Sequence, residues 1–516
     1  MANKSLFSSY AGKHLPHADL VNEAGGIAYA FGPDHALAQL AATGCLNGTY
    51  YATAEVQLDH VLKLAAQVDV ELLAKTAVYA RQRGHMKDMP ALLLAVLSVR
   101  DPALFAKVFA RVVDDARMLR TFVQIMRSGV VGRKSLGTRP KKQILAWLAA
   151  QSDEALFRAS VGNSPSLADV LKMVHPKPAT ASRRALFGYL VGKAHDADAL
   201  PKLVADYEAY KADKSGEVPD VPFQMLTALE LGAPEWSAIA RKASWQMTRM
   251  NLNTFARHGV FEVEGLGDLV AERLRDPKRI EKARAFPYQL MVAYANANDV
   301  PVEVKNALQD AMEHALANVP ALDGNVWVFP DVSGSMQSPV TGYRKGSTSS
   351  VKCVDVAALF AAAVVRKNPR ARVVPFETKC VSIELNPRDS VMTNAQKLAS
   401  IGGGGTNVSA PLAKLNAERA KADLVVYVSD NESWVDTRRH GATETMRQWN
   451  VLKERCPQAR MVCIDIQPYA HTQARDAGDI LNVGGFSDAV FEVVEAFARG
   501  ADGASRWVDL IQSVSL

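Results

Sequence analysis

The chain has 516 residues, of which 48% are hydrophobic and 22% are charged, and its formal net charge is +6. This length exceeds that of a single hydrophobic core, so at least two domains are expected. The composition argues against long disordered tracts, and no apolar run approaches the roughly 18 residues that a membrane span needs. The five cysteines form no C-x-x-C pair, which predicts a reduced, cytoplasmic protein: Cys45, Cys353, Cys380, Cys456 and Cys463.

A helical pattern extends from about residue 16 to residue 320. Apolar residues recur at three- and four-residue spacing after Asp101-Pro102, which is a helix cap followed by a first-turn proline. Prolines and glycines divide this region into segments of helical length, and β-strand signals are scarce. We therefore predict an α-helical domain of HEAT-like repeats over residues 1–322.

From about residue 323, short β-branched runs alternate with helical segments. This alternation is typical of a mostly parallel, Rossmann-like α/β sheet and predicts a second domain over residues 323–516. The predicted strands are 326–329, 372–376, 424–428, 461–466 and 480–483, and the predicted helices are 354–365, 411–420 and 444–453.

Oxygen-bearing side chains follow three of the predicted strands, at the strand ends where ligands bind in open α/β sheets. The first loop is Asp331-Val332-Ser333-Gly334-Ser335, whose alternate spacing lets three polar side chains point the same way. The second is a glycine run that ends at Thr406, and the third carries Asp430. Two carboxylates and three hydroxyls suit a hard cation, so the predicted metal ligands are Asp331, Ser333, Ser335, Thr406 and Asp430.

The predicted ion is Mg²⁺, with Ca²⁺ or Mn²⁺ as alternatives, because these loops lack the His or Cys that zinc or copper would require. With so few charged ligands, the ion would keep an open position for a carboxylate from a partner protein. The pattern resembles the von Willebrand factor A (vWA) domain with its metal-ion-dependent adhesion site. That resemblance covers about residues 323–516 and implies metal-mediated protein binding.

Two catalytic alternatives are disfavoured. A phosphatase of the Asp-x-Asp type needs a carboxylate where Ser333 stands, and a serine hydrolase would place Ser333 in a Gly-x-Ser-x-Gly elbow with a histidine base. Neither pattern is present, and His440 and His471 are expected at the surface. We therefore predict that the protein is not an enzyme.

Three stretches of the helical region concentrate cations without Asp or Glu: between Arg120 and Lys142, between Asp169 and Asp196, and from Arg241 to His258. Such stretches are often only solvated helix faces, but concentrated cations also attract the phosphates of nucleic acids. The candidates for phosphate contact are Arg133, Lys134, Arg139, Lys141, Lys142, Lys172, His175, Arg183 and Arg184.

Across both halves, the chain resembles the Ro autoantigen family, which combines a TROVE module with a vWA domain. The marks of this resemblance are Asn22-Glu23-Ala24-Gly25-Gly26, Gly48-Thr49-Tyr50-Tyr51, Asp169-Val170-Leu171-Lys172, His175-Pro176-Lys177-Pro178, Arg284-Ala285-Phe286-Pro287, Asp331-Val332-Ser333-Gly334-Ser335-Met336 and Asp430-Asn431-Glu432-Ser433-Trp434. The stretch before Asp169 departs from the animal pattern, since Leu167 replaces a histidine and Arg158 is what remains of a basic run.

The resemblance implies a ring of helical repeats closed by the vWA domain. It implies binding of small structured Y-like RNAs on the outer ring, and of single-stranded 3′ ends of misfolded RNAs in a central hole that Arg249, Asn253 and Arg257 would line. It also implies cytoplasmic RNA quality control with an exoribonuclease such as polynucleotide phosphorylase. We expect a monomer without a membrane partner. The alternative is a metal-dependent protein-interaction scaffold with no specific RNA role.

Overall fold

The structure is a computed structural model, and it describes residues 15–43, 46–214, 216–283, 287–316, 319–343, 351–434, 441–485, 489–500 and 506–516. Three features of the sequence analysis fall outside these ranges, namely Cys45, His440 and most of the Arg284–Pro287 mark. The chain forms two compact units. The sheet unit comprises Met1–Gln67 and Leu316–Ser513, and the helical unit comprises Val68–Ala315 and Val514–Leu516.

Helices account for most of the regular structure. In chain order they are α1 (Pro33–Thr43), α2 (Ala54–Gln67), α3 (Val70–Gln82), α4 (Asp88–Arg100), α5 (Pro102–Val112), α6 (Ala116–Ser128), α7 (Thr138–Ala150), α8 (Asp153–Arg158), α9 (Leu167–Val174), α10 (Ala181–Val191), α11 (Lys202–Ala212), α12 (Phe223–Leu226), α13 (Ala233–Lys242), α14 (Trp245–Met250), α15 (Leu252–Arg257), α16 (Leu266–Arg275), α17 (Pro277–Ala283), α18 (Pro287–Asn296), α19 (Val302–Ala315), α20 (Cys353–Lys367), α21 (Val391–Ala399), α22 (Ala410–Ala417), α23 (Glu444–Arg455), α24 (Ala489–Ala498) and α25 (Arg506–Gln512).

The strands belong to the sheet unit. They are β1 (Leu20–Val21), β2 (Ile27–Ala30), β3 (Val326–Pro330), β4 (Arg372–Val373), β5 (Leu424–Ser429), β6 (Arg460–Asp465), β7 (His471–Thr472) and β8 (Ile480–Gly484).

Successive helices of the helical unit pack against one another, as the proline and glycine spacing predicts. Helix α3 packs on α4 and α5, and α16 packs on α19. Asp101 caps α5 by accepting from the backbone N–H groups of Ala103 and Leu104, which confirms the cap read from Asp101-Pro102. The rings of Phe105, Phe109 and Phe122 lie 5.5–5.7 Å apart and form one aromatic core cluster.

The main sheet has five parallel strands in the order β4-β3-β5-β6-β8. The five predicted strands are therefore confirmed, and four of them match to within two residues. Strand β4 ends at Val373, earlier than predicted, although Val374 and Phe376 still donate hydrogen bonds to β3 on either side of Pro375. The interruption follows from Pro375, which has no N–H to donate. The residues of β3 and β5 are all buried, as expected of a sheet covered on both faces.

A second, antiparallel sheet joins β1, β2 and β7. The helical prediction is therefore wrong for residues 20–21 and 27–30. These strands are only two and four residues long, and their pairing depends on β7, which lies far away in sequence. Tyr29 of β2 is buried in the core of the main sheet, and its hydroxyl accepts a hydrogen bond from the Thr443 N–H.

The compact units divide the chain differently from the predicted domains 1–322 and 323–516. The first 67 residues group with the C-terminal part because β2 and α1 pack against it. The closed ring stays a prediction. None of the helices within the described ranges has the length and apolar character that a membrane span needs.

Candidate functional site

The first candidate loop turns sharply after β3. The Ser333 N–H donates to Asp331 Oδ1 at 2.8 Å, and the Ser429 hydroxyl donates to Asp331 Oδ2 at 2.6 Å. The hydroxyls of Ser333 and Ser335 lie 3.2 Å apart. Two serine side chains and one carboxylate thus converge within a single turn, as the alternate spacing predicts.

The second and third loops meet the first at the carboxyl edge of the sheet. The Gly334 N–H donates to the carbonyl of Gly404 at 3.0 Å, and Asp430 forms a side-chain hydrogen bond with Ser335. Thr406 is buried, and its carbonyl accepts from the Trp434 N–H at 3.3 Å. The structure therefore brings the three predicted loops together.

The last two glycines of the run before Thr406 are closely packed against side chains. Gly404 has φ +76°, and a Cβ there would collide with the Glu377 carboxylate. A Cβ at Gly405 would collide with the indole of Trp434. Because glycine has no Cβ, it adopts a positive φ without strain and leaves room for these neighbouring side chains. The second loop can therefore approach its neighbours closely.

Electrostatics favours a cation at this edge. Burial, and then the neighbouring Asp430, raise the pKa of Asp331 above its ordinary range, and burial likewise raises the pKa of Asp430. Hydrogen bonds from Ser333, Ser429 and Ser335 oppose these shifts. Two neighbouring buried carboxylates with raised pKa values are an arrangement that a bound cation would stabilise.

The donor set fits a hard cation better than a soft one. Among the described residues, no group of three or more His, Cys, Asp and Glu side chains has the arrangement of a metal site. The candidate centre instead joins the carboxylates of Asp331 and Asp430 to the hydroxyls of Ser333 and Ser335, with the buried Thr406 on the adjoining loop, and oxygen donors of this kind suit Mg²⁺, Mn²⁺ or Ca²⁺. An ion held there would be bound by Asp331, Ser333, Ser335, Thr406 and Asp430.

Further buried side chains that were not predicted from the sequence surround this centre. Glu432 is fully buried, and its Oε2 accepts from the Ala24 N–H at 3.2 Å. Asp465, at the end of β6, accepts from the Asn431 side chain. His471, expected at the surface, is buried in β7 and lies 3.3 Å from Glu432 Oε1, and burial lowers its pKa to about 4. The only signal for Glu432 in the sequence was its place in Asp430-Asn431-Glu432-Ser433-Trp434, one of the marks of the family resemblance.

Two marks that are distant in sequence contact each other. The Asn22 side chain donates to the Ser433 carbonyl at 2.8 Å, and a Cβ at Gly26 would collide with that same carbonyl. The turn formed by residues 22–26 therefore packs directly on the loop that carries Asp430. The two sequence marks, residues 22–26 and 430–434, therefore contact each other in the structure.

In the helical unit, some of the candidate cations are anchored to the protein. Arg133 donates to the carbonyl and hydroxyl of Ser98 at 3.1 and 2.9 Å. Arg183 pairs with Asp153 and donates to two carbonyls, at 2.6 and 3.1 Å. Arg249 donates to the Gln289 carbonyl at 3.0 Å. These guanidinium groups hold neighbouring helices together.

Asn253 is also engaged, since its amide donates to the Asn296 carbonyl at 2.8 Å. The remaining candidates have exposed side chains. They are Lys134, Arg139, Lys141, Lys142, Lys172, His175, Arg184 and Arg257.

The exposed cations cluster around adjoining helices. Arg139, Lys141 and Lys142 lie among the first five residues of α7, whose first turn contains no acidic residue. Helix α9, which carries Lys172 in its last turn, packs against both α6 and α7. Asp169, the acid nearest to Lys172, forms a capping box with Ser166. The structure thus gathers two of the three predicted basic stretches on neighbouring helices.

Leu167 and Arg158, which differ from the animal pattern before Asp169, both have structural roles. Leu167 is fully buried at the start of α9, so that position belongs to the core here. Arg158 pairs with Asp220 and donates to its carbonyl at 3.1 Å.

A five-stranded parallel sheet, with an Asp-x-Ser-x-Ser loop, a Thr loop and an Asp loop at its carboxyl edge, defines a vWA domain, here combined with a domain of packed helices. Residues 326–498 match the family model described as the Ro60 vWA domain. The chain is 26% identical over 530 residues to the RNA-binding protein RO60 of Deinococcus radiodurans, a match covering 95% of this chain and 97% of that protein. The crystal structure of the Deinococcus radiodurans RO (RSR) protein has the same fold, with a TM-score of 0.61 and 21% identity over 91% of this chain and all of that one. Over nearly its whole length the chain is therefore similar to a bacterial Ro protein.

Proposed function

We propose that this protein binds RNA through the exposed cations of its helical unit. Three cations lie among the first five residues of α7, near the helix N-terminus, where the helix dipole favours acidic residues and disfavours basic ones. Such an arrangement is unfavourable for the free protein and favourable for binding an anion. Arg139, Lys141 and Lys142 are therefore the centre of the proposed RNA-binding surface.

The proposed ligands are small structured non-coding RNAs, held on the outer face of the helices, and single-stranded 3′ ends of misfolded RNAs. The proposed role is RNA quality control in the cytoplasm together with an exoribonuclease such as polynucleotide phosphorylase. The similarity to a protein named as an RNA-binding protein supports this proposal. The protein would hold RNA for a partner and would not cleave it.

We also propose that the five oxygen donors at the sheet edge hold a divalent cation, Mg²⁺ in the first place. The ion would supply positive charge against Asp331 and Asp430, whose raised pKa values record unfavourable burial of negative charge. The chain's own hydroxyls would orient around the ion and exclude water from it.

RNA binding is tested with the triple variant Arg139→Ala, Lys141→Ala, Lys142→Ala in a filter-binding salt series. We expect affinity to fall roughly 10-fold to 100-fold, and the salt slope to shrink by about 2, since each lost single-strand phosphate contact contributes about 0.7. Stability should be unchanged or slightly higher, because the removed charges oppose the helix dipole.

The matched control replaces three lysines that bond to nearby acids or carbonyls in the same unit: Lys202, Lys211 and Lys214. This control should leave RNA affinity and its salt dependence near those of the unaltered protein. No RNA affinity in the unaltered protein, or an affinity without salt dependence, would reject the RNA proposal in favour of a protein-interaction scaffold.

A further inference from the structure

The candidate metal centre is closed to solvent. The five proposed ligands have relative exposures between 0% and 4%. A carboxylate from a partner protein, which the adhesion-site pattern leads one to expect, needs an accessible coordination position. In this chain another part of the protein must therefore lie where the partner would approach.

The residues that lie there belong to the segment 46–53, here called the closing segment. The hydroxyl of Tyr51 forms a hydrogen bond with the side chain of Ser335, and the phenol lies close enough to Asp430 to interact with its charge. Tyr51 is partly buried, whereas the adjacent Tyr50 is exposed. The closing segment thus places one phenol oxygen against the hydroxyl of Ser335, one of the proposed ligands.

Several contacts hold the closing segment in this position. On one side, the Tyr343 N–H donates to the Gly48 carbonyl at 2.7 Å, and the Asn47 side chain donates to the Thr341 carbonyl at 2.8 Å. Thr341 provides the acceptor carbonyl and Tyr343 the donor N–H, and both residues follow the first metal loop along the chain. These bonds tie the closing segment directly to the loop that begins at Asp331.

On the other side, the hydroxyls of Thr49 and Tyr469 lie 3.3 Å apart. The rings of Tyr51 and Tyr469 pack edge to face with centroids 6.1 Å apart, and Tyr469 stacks on His471. The Gln57 side chain, from α2, donates to the Asn47 carbonyl at 2.8 Å. Tyr51 is thus held by a packed aromatic neighbour and by backbone contacts on both sides.

We propose that Tyr51 is the internal occupant of the metal centre and that its phenol oxygen takes the side of the ion on which an external carboxylate would bind. This inference rests on the metal site proposed above. Its consequence is that the ion fastens the closing segment to the sheet. A partner's carboxylate reaches the ion only when the closing segment moves away.

The test uses the full-length protein and Tb³⁺, an oxygen-preferring luminescent ion, as the probe. Affinity and the number of water molecules bound to Tb³⁺ are measured by luminescence titration and by luminescence decay in H₂O and D₂O. Tyr51→Phe keeps the ring that packs on Tyr469 and removes only the hydroxyl. We expect about a 10-fold loss of Tb³⁺ affinity, a loss typical of removing a side chain that supports a metal site, together with more bound water.

The matched control is Tyr50→Phe, which removes an exposed hydroxyl from the neighbouring residue and should change neither quantity. Adding acetate should displace bound water in Tyr51→Phe and leave the hydration of Tb³⁺ in the unaltered protein unchanged. This comparison distinguishes the two proteins even if their Tb³⁺ affinities are similar. Thermal unfolding of each variant reports on its folding.

The outcomes separate the two proposals. If the unaltered protein binds Tb³⁺ no better than Asp331→Ala, the metal site and the role of Tyr51 are both rejected. If the unaltered protein binds Tb³⁺ and Tyr51→Phe shows the same affinity, hydration and response to acetate, only the role of Tyr51 is rejected.

Discussion

Gly26 shows how one residue can position a site that lies on the opposite half of the chain. It has no side chain because the Ser433 carbonyl occupies the space where a Cβ would be. That carbonyl also accepts from Asn22, and the same loop carries Asp430 and Glu432. The position of a proposed metal ligand therefore depends on the absence of one methyl group about 400 residues earlier in the chain.

We predict that Gly26→Ala lowers the free energy of unfolding of the sheet unit by about 1–3 kcal/mol, the usual cost of overpacking against a backbone atom. Metal affinity should fall with it, because the loop that carries Asp430 must shift. Thermal or urea unfolding, followed by a Tb³⁺ titration, measures both effects.

The control for this change is Gly478→Ala, at an exposed position of the same unit where an added Cβ meets nothing within 4 Å. Its cost should stay within about 0.5 kcal/mol. Equal stability of the two variants would show that the 22–26 turn does not pack on Ser433 in solution.

At the scale of elements, helix α10 carries two adjacent arginines with different roles. Arg183 is engaged with Asp153 and with the carbonyls of Leu148 and Gln151, so it fastens α10 to α7 and α8. Arg184 is exposed. A basic pair that looks uniform in the sequence therefore consists of one structural cation and one that is available to a ligand.

We predict that Arg183→Ala lowers the free energy of unfolding of the helical unit by about 2–4 kcal/mol, because it removes the cation paired with the largely buried Asp153 carboxylate, which keeps its hydrogen bond from Ser182, and the donor to two carbonyls. Arg184→Ala should change stability by less than about 0.5 kcal/mol while weakening RNA binding. Urea unfolding and filter binding of both variants check this. The opposite pattern, a stable Arg183→Ala variant with weakened RNA binding, would contradict the structural role of Arg183.

At the scale of the whole molecule, the sheet unit is assembled from both ends of the chain. Strand β2 pairs with β7, Tyr29 is part of the sheet core, and Gln39 of α1 packs against Gly484 at the end of β8. The metal loops at the sheet edge contact residues 22–26 and the closing segment. A complete vWA unit in this chain therefore includes the first 67 residues.

We predict that the isolated segment 323–516 lacks a cooperative thermal transition and binds Tb³⁺ weakly, because it exposes the core surface that Tyr29 and α1 cover. Co-expression with residues 1–67 should restore both properties. Near-ultraviolet circular dichroism and Tb³⁺ titration measure the outcome. A segment 323–516 that folds cooperatively by itself would favour the boundary near residue 322 over the division into compact units.

The sequence by itself determined the features that are encoded locally. The strands of the main sheet follow from short β-branched runs, and the metal candidates follow from polar residues within a few positions of the ends of β3 and β5. Parallel strands end at the same edge of a sheet, so order and spacing along the chain were enough to bring Asp331, Ser335 and Asp430 together.

Only the tertiary structure decided the features that depend on contacts between distant residues. Asn22 and Ser433 are 411 positions apart, and strands β1 and β2 are too short to be recognised without their partner β7. The engagement of Arg183 and the contact of Tyr51 with Ser335 likewise depend on which neighbours packing brings within hydrogen-bond distance. Residue type indicates what a side chain can bind, whereas its neighbours in three dimensions decide whether it is already bound.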